Sequence, residues 1–274
     1  MRHMIVRLLY WLGQLSSRLR RALWNGWHLY VSGVDRDLDL AFFNYGFAEL
    51  EGHKVRLELR EEDEKNRFCI QLYHHVASAV DLRDRDVLEI GCGRGGGASY
   101  VHGYLRPRST VAMDISKGAI RFCRERYTLD GLSFCQGDAT LLPFNDSAFD
   151  VIINVESSNA YGDVGLFLRE ARRVLRRDGH LLLADMRPQS EIDRLVTQIK
   201  DAGLSIQGSE VITPNVVRAM DLDDEQKRDL IRRKAPGVLA RSFAEFAGVR
   251  GSAIYDSMKT GQRQYLNFVL RRLG

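Results

Sequence analysis

Asp86-Val87-Leu88-Glu89-Ile90-Gly91-Cys92-Gly93-Arg94-Gly95-Gly96-Gly97-Ala98 places an acid two residues ahead of a glycine run. Val87 to Ile90 is a short apolar run of the kind that forms a buried parallel strand, and a helical segment follows from Ala98 to Tyr104. Glycines between a strand and a helix let the backbone approach a ligand closely and aim the first helix amides at it. Gly91, Gly93 and Gly96 also match the dinucleotide pattern GxGxxG, which is a weak signal alone. Glu89 opposes that match. Its carboxylate would repel a pyrophosphate and attract a ligand carrying an amino group and a sulfonium. Asp114 ends the next apolar run in Met113-Asp114-Ile115-Ser116, where a carboxylate can accept from both hydroxyls of a ribose, or else cap a helix. Asp138 follows the third run in Gln136-Gly137-Asp138-Ala139, placed to accept from a nucleobase amino group.

The pattern acid-x-Gly-x-Gly-x-Gly at residues 89–95 resembles motif I of the class I S-adenosylmethionine (SAM) methyltransferases. A closer resemblance runs over roughly residues 35–274. Asp63-Glu64-Lys65-Asn66-Arg67, Leu72-Tyr73-His74, Gly93 to Tyr100, Asn154-Val155-Glu156 and Phe246 to Gly251 are similar to the phthiotriolone/phenolphthiotriolone dimycocerosates methyltransferase family. The resemblance implies SAM as cofactor, with contacts at Tyr73, Glu89, Gly91, Gly93, Gly95, Asp114, Ile115, Gly137, Asp138, Ala139, Asn154 and Val155. It also implies a hydroxyl acceptor on a lipid, polyketide or sugar-like molecule. That family often carries a His after the glutamate of strand four. Here the position is Asn159, which takes no proton at neutral pH.

Displacement at a sulfonium is mostly a matter of positioning, but an alcohol still gains from a base that removes its proton. His74, His75, Glu156 and Asp185 are the candidates, with Asp185 or His74 favoured as base and Glu156 as a cofactor or acceptor contact. Two rival readings stay open. Carbon methylation of an isoprenoid-like alkene would want aromatics and a carboxylate near the methyl, as Glu156 and Tyr161 offer. A non-catalytic SAM-binding module would lack a base.

These residues need a sheet to hold them. Strands are expected at 86–90, Thr110 to Asp114, Leu132 to Gln136, Phe149 to Val155, His180 to Asp185, near Leu204 to Ile212, and at Arg263 to Leu270. Helices are expected over Asn66 to Ala79, Gly118 to Tyr127, Val164 to Leu175 and Glu191 to Ala202, with Arg177-Asp178-Gly179 as the turn into strand five. The alternation predicts an α/β fold: a doubly wound (Rossmann-like) seven-stranded parallel sheet with N-terminal helices and a helical lid insertion. Three stretches follow. Residues 1–34 are an amphipathic N-terminal helix. Residues 35–85 are an extension and cofactor lid, of which 35–65 reads as a solvated connection. Residues 86–274 are the methyltransferase domain, with an acceptor lid inserted at about 213–259.

The chain has 274 residues, 45% of them hydrophobic, and a net charge of +4. Arg2, Arg7, Arg18, Arg20 and Arg21 occupy the first 34 residues without an acid, so the body is near neutral and does not read as a nucleic-acid binder. Cys69, Cys92, Cys123 and Cys135 form no CxxC pair, so a metal is not expected and a cytoplasmic, reduced protein is. Over residues 4–30, Ile5, Leu8, Leu12, Leu15, Leu19 and Leu23 recur at helical spacing beside basic residues and three tryptophans. Such a helix suits either peripheral contact with an anionic membrane or packing in a homodimer.

Overall fold

The computed structural model describes residues 40–50, 57–235 and 237–273. The expected helix at residues 4–30, and with it the membrane and dimer readings, lies outside the described residues. The described residues form a seven-stranded sheet in the order β3-β2-β1-β4-β5-β7-β6. Its strands are β1 (Asp86–Ile90), β2 (Ser109–Asp114), β3 (Leu132–Gln136), β4 (Phe149–Val155), β5 (Leu175–Pro188), β6 (Leu204–Val211) and β7 (Arg263–Arg272). The first five run parallel. β7 is antiparallel to both β5 and β6, so the sheet is mixed where the sequence pattern suggested a parallel one. Strand direction is set by the lid before β7, which returns the chain at the same end of the sheet where β6 finishes, and apolar patterning is blind to that.

Along β5, Leu181, Leu182 and Leu183 are all fully buried, because both faces of the sheet are covered. One face packs Val87, Ile153, Leu182 and Tyr265 against Leu72 and Val76 of α1 (Arg67–Ala77). The other packs Leu88, Ile152, Leu183 and Phe268 against Phe167 and Leu168 of α4 (Val164–Val174) and Leu195 and Ile199 of α5 (Ile192–Asp201). Between these come α2 (Gly96–Leu105) and α3 (Lys117–Arg126). Local signals start the helices: Ser116 accepts the Ala119 amide and Asp163 the Leu166 amide. The expected Arg177-Asp178-Gly179 turn is a bulge inside β5, where the register jumps between Phe149 and Val151 and Asp178 takes φ 63°.

Residues 213–259 hold four helices, α6 (Thr213–Leu222), α7 (Asp224–Lys234), α8 (Gly237–Ala247) and α9 (Ala253–Lys259). Aspartates knit them together. Asp224 accepts from the Arg250 amide and the Arg228 guanidinium, and Asp221 from Arg250 and the Tyr255 hydroxyl. Residues 41–48 are not the solvated connection expected of them. Asn44, Phe47 and Ala48 are buried, and backbone hydrogen bonds join Phe47 to Phe68 and Ala48 to Asn215.

The amino ends of the central strands are held by charge. Asp86 accepts from Arg108, Ser109 and Arg176, and Arg176 also reaches Asp150, whose carboxyl accepts the Asp86 amide. Arg108, with Ser109 and Arg176, keeps the Asp86 carboxyl well below the usual carboxylate range. A lowered folded-state pKa adds stability that is present above the unfolded-state value near 4 and is lost as pH falls. The melting temperature is therefore expected to drop as pH is lowered below about 4, and Asp86→Asn to flatten that drop. Thermal melts across pH would expose the opposite outcome, an unchanged acid limb in the variant.

Candidate active site

A cleft of about 790 Å³ opens at the carboxyl ends of β1, β2, β4 and β5. The glycine turn forms one wall. Gly91 takes φ 81°, and a Cβ there would lie 2.4 Å from Ser157, so only glycine fits between β1 and the loop after β4. Gly97 serves a different purpose. A Cβ there would meet the Tyr73 ring at 2.0 Å, so this glycine makes room for Tyr73 of α1. Gly95 lies behind the turn against Cys123, Tyr127 and Phe134, away from the cleft. The Gly96 amide, at the start of α2, donates to the Ala41 carbonyl at 3.2 Å. The first helix amide is thus taken by the protein itself, and an anionic pyrophosphate loses one donor it would need.

Beneath this turn, Glu89 is 2% exposed. The Tyr73 hydroxyl donates to its Oε1 at 2.7 Å, while Oε2 is buried without a hydrogen-bond partner. Burial pushes its carboxyl up to about 7. Asp114, at the tip of β2, faces the cleft and accepts from the Gly93 amide on one oxygen and the Ser116 amide on the other. Each oxygen keeps a lone pair for a further donor. Ile115, Gly137, Asp138, Ala139 and Val155 line the same cleft, and Asp138 also accepts the Thr140 amide and hydroxyl.

Asn154 does not line the cleft. It is fully buried, with its Nδ2 within reach of Ile90 O, Ser157 Oγ and Tyr161 OH, so it pins the end of β4 from below.

Glu156 follows β4 in a left-handed conformation, φ 49°, which is strained for a side chain this long. Its Oε1 accepts the Tyr45 amide at 2.8 Å and the Tyr265 hydroxyl at 2.9 Å. Burial pushes its carboxyl up to about 8, and nearby Asp185 adds to the rise against the pull of those two donors.

The two residues favoured as base sit elsewhere. Asp185 is 2% exposed and accepts from the Ser158 hydroxyl, the Asn159 amide and side chain, and the Met186 amide, with Arg187 at 3.0 Å. A carboxylate with every direction taken is a poor proton acceptor. His74 bonds Tyr100 at 2.8 Å, and His75 bonds Glu210 at 2.9 Å, neither on the cleft wall. Asn159 has its own role here: it binds Asp185 rather than standing in for a base.

Sequence reasoning missed the strap Ala41 to Tyr45, which packs on the glycine turn and lines the cleft. The aromatic run Phe42-Phe43-Asn44-Tyr45 was its only signal. Tyr265 lies 109 residues from Glu156, and no spacing announces that pair.

The protein-family model described as a methyltransferase domain matches residues 88–183. The chain is 36% identical over 251 residues to the phthiotriol/phenolphthiotriol dimycocerosates methyltransferase of Mycobacterium tuberculosis (strain ATCC 25177 / H37Ra), covering 91% of this chain and 92% of that protein. The chain belongs to this methyltransferase family. The methyltransferase is also 38% identical over 230 residues to the fatty-acid O-methyltransferase of Mycolicibacterium smegmatis, covering 84% and 82% of the two chains. Among solved structures, the [4+2]-cyclase SpnF shares the fold, with a TM-score of 0.71 at 20% identity over 91% of this chain and 95% of that one. So does the geranyl diphosphate C-methyltransferase of Streptomyces coelicolor A3(2), with 0.65 at 16% identity over 95% and 99%.

The cofactor of the methyltransferase is SAM. The residues present fit it: a buried acid with an unpartnered oxygen at Glu89, and a carboxyl with open lone pairs on the cleft wall at Asp114. Asp185→Ala is expected to act on the fold instead. Removing one partner of the buried Asp185–Arg187 pair strands a charge, at a cost of about 3–5 kcal/mol. Chemical denaturation should report that loss, and a variant as stable as the parent would sink the assignment.

Proposed function

We propose that this SAM-dependent methyltransferase O-methylates a hydroxyl on a lipid-like acceptor, with Glu156 as the group that takes its proton. The supporting observation is the placement of Glu156: a cleft-lining carboxyl, raised toward neutral pH and fixed through one oxygen by two donors. Its second oxygen is not held by either donor. A base whose pKa lies near working pH accepts a proton readily and can return it. The two relatives above, by their names, act on lipid-type acceptors, in accord with this reading.

SAM, when bound, supplies an electrophilic methyl on a good leaving group. Glu89 would answer its positive end, Asp114 its ribose hydroxyls, and Asp138 with Gly137 and Ala139 its base. Ile115, Gly91, Gly93 and Val155 would shape the walls. Tyr73 would act through Glu89, and Asn154 and Gly95 through the backbone they fix. Residues 35–85 would cover the cofactor and 213–259 the acceptor, supported by cleft contacts from Phe42 and Tyr45 on one side and Phe246 and Ile254 on the other. Phe42, Phe43, Tyr45, Tyr161 and Phe246 also give the cleft an aromatic lining, which keeps carbon methylation as a second reading.

Radiolabelled SAM incubated with a lipid extract, followed by product identification, decides between an ether and a new carbon–methyl bond. Glu156 is the acid form below its pKa and the base above it, so kcat/KM should rise as pH passes through about 8. Glu156→Gln should lose on the order of 10²–10⁴-fold in kcat and that rise with it. A variant keeping both would refute the role. Asp114→Ala should weaken SAM binding in calorimetry with the fold intact. Unchanged affinity would remove Asp114 from the cofactor site.

A further inference from the structure

We propose that the acceptor carries an anionic oxygen group besides the hydroxyl it presents, and that Arg263 binds that group. The inference rests on the methyltransferase reading of the cleft and names a chemical feature of its acceptor.

Arg263 opens β7 opposite Pro188 of β5. It stands two residues before Tyr265, so both side chains leave the same face of the strand. The Tyr265 hydroxyl rests on Glu156, and the charge of Arg263 acts on Tyr45, whose amide also rests on Glu156. The guanidinium therefore stands on the side of the cleft formed by Tyr45 and β7. It is half-buried, lines the cleft, and makes no hydrogen bond or ion pair among the described residues.

The neighbouring arginine shows the contrast. Arg187 is 4% exposed and spends its donors on Asp185, Ser158 and the Met186 carbonyl. Arg187 is spent on internal contacts, whereas the Arg263 guanidinium, a donor of up to five N–H groups, lines the cleft with none of them committed among the described residues. A planar guanidinium matches a carboxylate or phosphate with two parallel hydrogen bonds, and partial removal from water strengthens that match. Charge also orders the two ends of the acceptor. An anion beside Glu156 would be repelled once that carboxyl ionises, whereas a hydroxyl there and an anion at Arg263 keep like charges apart. Arg194 adds a second cation at the exposed rim of the cleft, with Glu191 one turn before it.

The full chain, with SAM, is given a hydroxy fatty acid, its methyl ester, and the phosphate monoester of the matching diol. The expected result is a KM for at least one anionic acceptor about tenfold or more below that of the ester. Arg263→Ala should erase the difference by raising the KM of the anionic acceptor, with SAM affinity unchanged in calorimetry, and Arg263→Lys should restore part of it. The better of acid and phosphate identifies the anion. Equal use of acid, phosphate and ester by the parent would overturn the proposal, as would an equal loss on all three in Arg263→Ala. Should no acceptor turn over, calorimetry of the same ligands on the S-adenosylhomocysteine-bound protein applies the same comparison, and absent or Arg263-independent binding of the anions overturns it. Failure to bind SAM at all would instead remove the underlying methyltransferase reading.

Discussion

Glu156 joins three parts of the chain that are distant in sequence. One oxygen accepts the amide of Tyr45 and the hydroxyl of Tyr265, while its backbone takes a left-handed turn at the end of β4. The strap before α1, the centre of the sheet and the final strand meet at this carboxyl. Burial raises its pKa, while the two donors that hold it pull the other way. The strain at Glu156 is tolerated because the surrounding sheet, buried on both faces, leaves the residue no alternative place.

The glycine turn has two duties that its sequence pattern merges. Gly91 and Gly93 bring backbone to the cleft wall, and the Gly93 amide is fixed by Asp114. Gly96 and Gly97 instead receive the protein itself, Ala41 and Tyr73, which roof the start of α2. A helix start covered by a carbonyl suits a ligand with a positive end better than one with phosphates, and Glu89 beneath it points the same way. Ligand choice therefore comes from what packs on the turn as much as from the turn.

Charges near the site divide by whether they are spent. Buried Asp185, Arg187 and Ser158, with exposed Asn159, form a hydrogen-bonded cluster that stiffens the end of β5. Glu156 and Arg263 keep capacity facing the cleft. A list of acids and bases near strand ends cannot separate these groups, because the distinction lies in hydrogen-bond partners rather than in residue type. Residue type therefore does not tell Asp185, whose oxygens are all taken, from Glu156, held through one oxygen.

The chain's pattern alone determined the strands from β1 to β4 nearly to the residue, the helix that starts at Val164, and the helical character of 213–259, because buried strands and helices are local consequences of apolar runs and their period. It also placed an acid and glycines at one strand tip and acids at the next two, since successive parallel strands present their carboxyl ends on one side. Tertiary structure decided the antiparallel entry of β7, the inward run of Ala41 to Tyr45, and the pairing of Tyr265 with Glu156. Those depend on which segments meet after long excursions of the chain. Contacts of that kind are fixed by the global packing of the core, so no local spacing encodes them.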